Sequence, residues 1–166
     1  LKPTPGYGLQ NEDITGRKMK ILFVCYGNIC RSPMAEFIFK NKIKNTGLNA
    51  EADSKATSAE EIGNPVYYAI RPYLDKLKID YYNKRAEQMK RSDGDYYDYI
   101  VVMETSNKNA VKRIIDEKNH YKIKRLSDYT DAPADIADPW YTRDFDTCYD
   151  QIVRGVDCFI EYLGKL

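Results

Sequence analysis

One stretch constrains the fold more than any other. The apolar run Ile21-Leu22-Phe23-Val24 leads straight into Cys25-Tyr26-Gly27-Asn28-Ile29-Cys30-Arg31, and then into Ser32-Pro33-Met34-Ala35-Glu36. A short β-branched and aromatic run reads as a buried strand. Ser-Pro before a Met-Ala-Glu run reads as a helix opening, with Ser32 as N-cap and Pro33 at the first helical position. A strand that feeds a helix through so tight a loop is an α/β element, and the loop places a cysteine and an arginine on either side of five residues.

The rest of the chain repeats the alternation. A first strand is expected over 20–25 and a first helix over 33–45, with Ala35, Ile38, Phe39 and Ile43 facing inward. Leu48, Ala50, Ala52 and Ser54 alternate as in a second strand. Val66, Ile70, Tyr73, Leu74 and Leu77 have helical spacing over 66–77, and Pro72 must lie in the first turn of that helix or kink it. Residues 99–103 form a solid apolar run, expected to be a buried central strand. Asn107, Ala110, Val111, Ile114 and Ile115 make a helix face, and 121–126 a weaker edge strand. A last helix over 144–164 starts near Asp144, with Phe145, Tyr149, Ile152, Val153, Val156, Ile160 and Leu163 as its stripe. Such alternation predicts an α/β fold, a three-layer sandwich with a four-stranded parallel sheet and helices on both faces. Ligands of such sheets bind at the carboxyl ends of the strands, where the Cys25 loop lies. Residues 1–18, rich in Pro and Gly, read as an irregular leader, either a tag remnant or an extension. The domain is expected over 19–166.

Charge and cysteine usage narrow the class. Lys and Arg number 26 against 25 Asp and Glu, a net charge of +1, which argues against a nucleic-acid partner. No apolar run approaches the roughly 18–20 residues that span a membrane, and no secretory signal pattern is visible. Of the four cysteines, Cys25 and Cys30 lie in the loop, and Cys148 and Cys158 read as ordinary buried or half-buried helix residues. A chain this long needs no disulfides, so a reducing, cytoplasmic setting is expected. The single histidine, His120, reads as a surface loop residue. With no clustered Cys/His spacing, neither a metal nor another cofactor is expected. Activation of Cys25 then falls to loop backbone, helix terminus and Arg31.

Those groups suit one chemistry. Backbone N–H groups converging at a helix start form an anion cradle, and such a setting favours the thiolate of a cysteine at its floor. Arg31 supplies a planar fork matching two phosphate oxygens. Gly27 and Asn28 tolerate the backbone angles that turn amides inward. The Ser32 hydroxyl can cap the helix or donate to the sulfur. A leaving-group acid must come from elsewhere. Asp135 and Asp138, in Asp135-Ile136-Ala137-Asp138-Pro139-Trp140-Tyr141, are the candidates, and Asp138 is preferred because Pro139 stiffens the chain beside it. Trp140 and Tyr141 would wall a slot deep enough for a phosphotyrosine ring and too deep for phosphoserine.

Val24-Cys25-Tyr26-Gly27-Asn28-Ile29-Cys30-Arg31-Ser32-Pro33-Met34-Ala35-Glu36 resembles the signature of the low-molecular-weight protein tyrosine phosphatases. The resemblance continues through Asp53-Ser54-Lys55-Ala56-Thr57-Ser58, Ile62-Gly63-Asn64-Pro65, Val102-Met103-Glu104-Thr105-Ser106-Asn107 and Asp138-Pro139-Trp140-Tyr141. It implies a metal-free, two-step mechanism on phosphotyrosine-containing proteins. Cys25 would attack phosphorus, Arg31 and the amides of Tyr26, Gly27, Asn28, Ile29, Cys30 and Arg31 would bind the phosphoryl group, and Asp138 would serve as acid and then base. Asn28, Ser32 and Ser54 match positions that hold the loop in shape. Cys30 matches a second cysteine that forms a reversible, protective disulfide with the nucleophile under oxidation. A monomer that binds neither nucleic acid nor membrane is expected.

Four positions depart from the family pattern. Tyr26 stands where leucine is common, Glu60 where an aromatic often lines the slot mouth, Lys84 where histidine is frequent, and Glu104 where aspartate is. The Lys84 and Glu104 changes are expected to leave the three chemical roles untouched. Three other readings stay open. A phosphoarginine phosphatase on this scaffold tends to carry threonine where Ile29 stands. An arsenate reductase needs further cysteines near 80–95, where this chain has none. A phosphoprotein-binding module without turnover would not need Cys25, Arg31 and Asp138 together.

Overall fold

A computed structural model describes residues 17–166; most of the expected leader lies outside the described residues. The sheet has four parallel strands: β1 (Met19–Cys25), β2 (Ala50–Ala56), β3 (Tyr99–Val102) and β4 (Ile123–Arg125), in the order β2-β1-β3-β4. The central β1 buries both faces. Ile21, Phe23 and Cys25 enter one apolar core, and Leu22 and Val24 enter the other, as the period-2 geometry of a strand requires. The chain leaves β1 toward β2 on one side and reaches β3 and β4 on the other. The sheet therefore has its topological switch point beside β1, with the Cys25 loop at its carboxyl end.

Helix α1 (Arg31–Ile43) follows that loop, and α2 (Arg71–Lys76), α3 (Asp93–Tyr96), α4 (Thr105–Ile114), α5 (Pro139–Thr142) and α6 (Phe145–Gly164) complete the layers. Residues of α1, α2 and α6 share the core under Phe23, while Val111 of α4 and the adjoining Ile115 close the other face. Phe159 of α6 ties the larger core together, with ring centroids 5.8 Å from Phe39, 6.2 Å from Phe23 and 4.7 Å from Tyr129. It is absent from the stripe expected for the last helix, as is Cys148, and both are fully packed.

Several local expectations are corrected. Helix α1 begins at Arg31, two residues early, with Cys30 as its N-cap. Ser32 is therefore inside the first turn and caps nothing, and Pro33 is the third helical residue, where its missing N–H still costs no bond. The helix expected over 66–77 is a 3₁₀ turn over Tyr68–Ile70 followed by α2, with Pro72 in the first turn of α2. His120 lies in a 3₁₀ segment, Glu117–Lys122, where its Nε2 is 3.0 Å from the Lys112 carbonyl oxygen and fastens the end of α4.

Candidate active site

The loop between β1 and α1 is built around the Cys25 sulfur. The backbone N–H groups of Asn28 and Ser32 donate to Sγ at 3.3 and 3.4 Å, and Ser32 Oγ lies 3.0 Å from it. Asn28 sits at φ +61°, the left-handed region that asparagine tolerates. Gly27 is not in that region. An added Cβ there would meet Glu61 Cγ at 3.2 Å, so any larger residue asks the Glu61 side chain to give by a few tenths of an ångström.

A directed chain of hydrogen bonds holds this shape from below. The Asn28 carboxamide Oδ1 accepts from the Glu87 N–H at 3.0 Å, which fixes the orientation of the amide. Its Nδ2 donates to Ser32 Oγ and to Ser54 Oγ, both at 2.9 Å. Ser54 in turn donates to Glu36 Oε1 at 2.6 Å. With Ser32 Oγ accepting from Asn28, the Ser32 proton is left for the sulfur. Lys84 Nζ donates to the Ser54 carbonyl at 2.7 Å and stands 3.6 Å from Glu36, whose other oxygen takes Lys40. Glu36, buried on α1, is thus a paired carboxylate as burial demands. The signal for it was only its place in the helix opening, where a glutamate reads as a solvated first-turn charge.

Arg31 is almost wholly buried. Its Nη1 donates to Glu104 Oε2 at 2.6 Å and to the Ile136 carbonyl at 2.8 Å, and its Nη2 lies 3.3 Å from Asp138 Oδ2. Burial opposes its charge, but Cys25, Asp138 and Glu104 outweigh that and shift its pKa upward. Glu104 therefore touches the arginine directly, contrary to the expectation that this departure stands clear of the chemistry. Its backbone is set by Asn107 Oδ1, which accepts from the N–H groups of Met103 and Glu104.

Asp138 and Asp135 separate cleanly. Asp138 N-caps the short α5, accepting from the Trp140 N–H at 3.0 Å through Oδ1 while Oδ2 faces Arg31. Asp135 accepts from the Thr105 N–H and hydroxyl, both at 2.9 Å, and from Arg125 at 3.1 Å. Slight burial works against its charge, but the Thr105 and Arg125 bonds hold its carboxyl below the usual range.

Cys25, Tyr26, Gly27, Asn28, Ile29, Cys30, Arg31, Glu60, Asp138, Trp140 and Tyr141 line one cleft. Ser32 and Ser54 lie beneath it. The wall also includes Tyr67, which nothing in the local sequence marked, and Phe145, which the sequence places in the stripe of the last helix. Tyr67 packs against Trp140 with centroids 5.2 Å apart and against Phe145 at 6.0 Å. Arg143, held at φ +59° after α5, lies over both Tyr67 and Phe145. At the mouth the Tyr26 hydroxyl donates to Glu60, a bond that moves its pKa upward and keeps it a donor. All four cysteines are free thiols. Burial, with Cys148 and Cys25 nearby, pushes the Cys30 thiol well up, and burial pushes Cys148 up to about 12. Among the described residues, no helix is long and apolar enough to cross a membrane, and no group of three or more His, Cys, Asp or Glu could hold a metal ion.

The structure thus brings a thiol in an amide-lined loop, an arginine fork and a facing carboxylate together at the switch point of a parallel sheet. The sequence pattern of the low molecular weight phosphotyrosine protein phosphatase family matches residues 20–166. The chain is 36% identical over 151 residues to the low molecular weight protein-tyrosine-phosphatase YfkJ of Bacillus subtilis, covering 89% of this chain and 97% of that protein. The crystal structure of YfkJ superposes with a TM-score of 0.86 over 90% of this chain and 97% of the other. PtpA of Staphylococcus aureus is 32% identical over 87% of this chain and 94% of its own length. The chain belongs to the low-molecular-weight protein tyrosine phosphatase family. It is an enzyme, a protein tyrosine phosphatase.

Proposed function

We propose that residues 19–166 hydrolyse phosphotyrosine in proteins through a phosphocysteine intermediate. The observation that carries this reading is the convergence of Cys25 Sγ, Arg31 and Asp138 in one aromatic-walled cleft, with Asp138 Oδ2 3.3 Å from Arg31 Nη2. In the first step the Cys25 thiolate attacks phosphorus and the bond to the tyrosine oxygen breaks. Asp138, protonated at that point, gives its proton to the departing phenolate. Arg31 and the N–H groups of residues 26–31 hold the equatorial oxygens, where charge spreads in phosphoryl transfer. The Ser32 hydroxyl and the N–H groups of Asn28 and Ser32 solvate the sulfur when it carries charge, before attack and again as it leaves. In the second step Asp138, now a carboxylate, takes a proton from water as its oxygen attacks the phosphocysteine, releasing phosphate and regenerating the thiolate.

The aromatic lining favours phosphotyrosine over smaller phosphoesters, because Tyr67 and Trp140 pack together in the wall of the same cleft as the loop. The test is a side-by-side assay of phosphotyrosine, phosphoserine, phosphoarginine and arsenate with the purified protein, repeated with Cys25→Ser. Phosphotyrosine turnover that Cys25→Ser abolishes, with vanadate binding retained, is the expected result. Turnover surviving Cys25→Ser, or faster release from phosphoarginine, would overturn it.

A further inference from the structure

A second groove opens beside the cleft. It shares Ile29, Glu61, Tyr67 and Trp140 with the cleft, so the Tyr67–Trp140 pair stands between the two. Its separate wall runs along Val66 and Tyr68 to Arg71. Tyr68 is 63% exposed and lies against Tyr67, with centroids 4.7 Å apart, which leaves an aromatic surface open to a peptide. Arg71 opens α2, half-buried, and its Nε donates to the Val66 carbonyl at 2.9 Å. That bond fixes the side chain and leaves the terminal amines unspent, since no carboxylate pairs with Arg71 among the described residues. The other arginines around the cleft are committed: Arg31 to Glu104 and Asp138, and Arg143 to the Tyr67 hydroxyl and the Phe145 ring.

We propose that this groove receives the substrate residue within two positions of the phosphotyrosine, and that Arg71 selects an aspartate or glutamate there. The inference rests on the phosphotyrosine reading of the cleft. Sharing a wall with the cleft puts the groove within reach of a neighbouring side chain, because an extended chain advances about 3.3–3.6 Å per residue. An arginine fixed through Nε and free at its fork matches a carboxylate with two parallel bonds. Glu61 sharpens the choice of position. It lines both spaces and Arg71 lines only the groove, so a carboxylate that stops at the border meets repulsion and one that passes it meets Arg71.

The test uses phosphotyrosine peptides carrying Glu, Gln or Lys in turn at each of the two positions before and after the phosphotyrosine. Each kcat/KM is divided by that of p-nitrophenyl phosphate with the same protein, a probe too small to reach the groove. At one position Glu should exceed Gln by about three- to tenfold in the wild type, the range for a partly exposed charge pair. Arg71→Gln should erase that preference, and Arg71→Glu should turn it toward Lys. Equal rates for Glu and Gln at every position, or a preference that survives Arg71→Gln, would each overturn the assignment. Wild-type protein that hydrolyses p-nitrophenyl phosphate but no phosphotyrosine peptide would instead overturn the reading of the cleft, and this inference with it.

Discussion

Asp138 and Arg31 share one face of the cleft, with Oδ2 3.3 Å from Nη2, while the other Asp138 oxygen caps α5. The cap fixes the carboxylate without using the oxygen that would carry the proton. Asp138→Asn keeps an acceptor for the Trp140 N–H and loses the acid together with the negative charge that faces Arg31. It should slow phosphotyrosine hydrolysis by about 10²–10⁴-fold and p-nitrophenyl phosphate far less, since nitrophenolate needs little help to leave. Steady-state kinetics on both substrates decide it, and equal slowing would remove Asp138 from the acid role.

Glu104 holds the Arg31 guanidinium through a 2.6 Å contact, and on the proposed mechanism this orients the group that binds phosphate. Glu104→Ala should lower kcat/KM by about 10- to 100-fold, the value of a charge-assisted bond that places a binding group. Glu104→Asp should recover part of the loss, with circular dichroism unchanged in both. An unchanged or raised kcat/KM for Glu104→Ala would mean that Glu104 only competes with phosphate for Arg31.

Gly155 on α6 is a packing requirement. An added Cβ would sit 2.5 Å from Leu126 Cγ, and Leu126 is fully buried and cannot retreat. Alanine gains about 1 kcal/mol of helix propensity against an overpacking cost of about 1–3 kcal/mol, and the immobile neighbour puts the cost at the upper end. Gly155→Ala should lower Tm by about 2–8 °C in a calorimetric scan, and a raised Tm would show that Leu126 repacks.

Alkaline pH should destabilise the fold. Burial raises the thiol pKa of Cys30 and of Cys148, the latter to about 12, and it raises those of the Tyr129 and Tyr97 hydroxyls, the second also through its bond to Asp53. These groups keep their protons in the native state where the unfolded chain begins to lose them, near pH ~8.5 for thiols and ~10 for tyrosines. The unfolded state then binds fewer protons, so stability is whole below about pH 8.5 and falls as pH rises from there. Urea melts between pH 7 and 10.5 test this; a constant midpoint would contradict it.

The same raised thiol bears on oxidation. On the proposed redox role, peroxide would oxidise the Cys25 thiolate to a sulfenic acid, and the Cys30 thiolate would attack that sulfur, closing a disulfide and expelling hydroxide. Because Cys30 holds its proton well above neutrality, closure should quicken as pH rises from 7 to 9. Recovery by a dithiol after peroxide should improve in parallel and be lost in Cys30→Ser. Equal recovery in the variant would leave Cys30 without this role.

The alternation of strands and helices, the central place of β3, the edge place of β4 and the loop ending at Arg31 were legible because each follows from a local period or a spacing of a few residues. Of the support beneath the loop, only Asn28, Ser32 and Ser54 were legible, and through the family resemblance rather than through any local period. Glu36, Ser54, Glu87 and Lys84 meet Asn28 or one another across 18 to 59 residues of chain, and a lone Glu or Lys in sequence reads as a solvated charge. Ser32 misled for a related reason: its hydroxyl could have served the helix, and the sulfur and Asn28 claim it instead. Phe159 escaped because its neighbours on α6 already filled a plausible stripe, and only the rings of Phe23, Phe39 and Tyr129 reveal which residue the core converges on.

In the chain that runs from Ser32 through Asn28 and Ser54 to Glu36, each proton has one direction to point, so the floor of the cleft has a single wiring. None of its members forms the rim. Tyr26, Glu60, Trp140 and Tyr141 stand on the exposed edge above it, so on the proposed reading exchanging them would retarget the enzyme while the apparatus below keeps its shape. Target choice and turnover would then be separate inheritances in this fold, one written on the exposed edge and the other in buried polar residues that a survey of the surface would never sample.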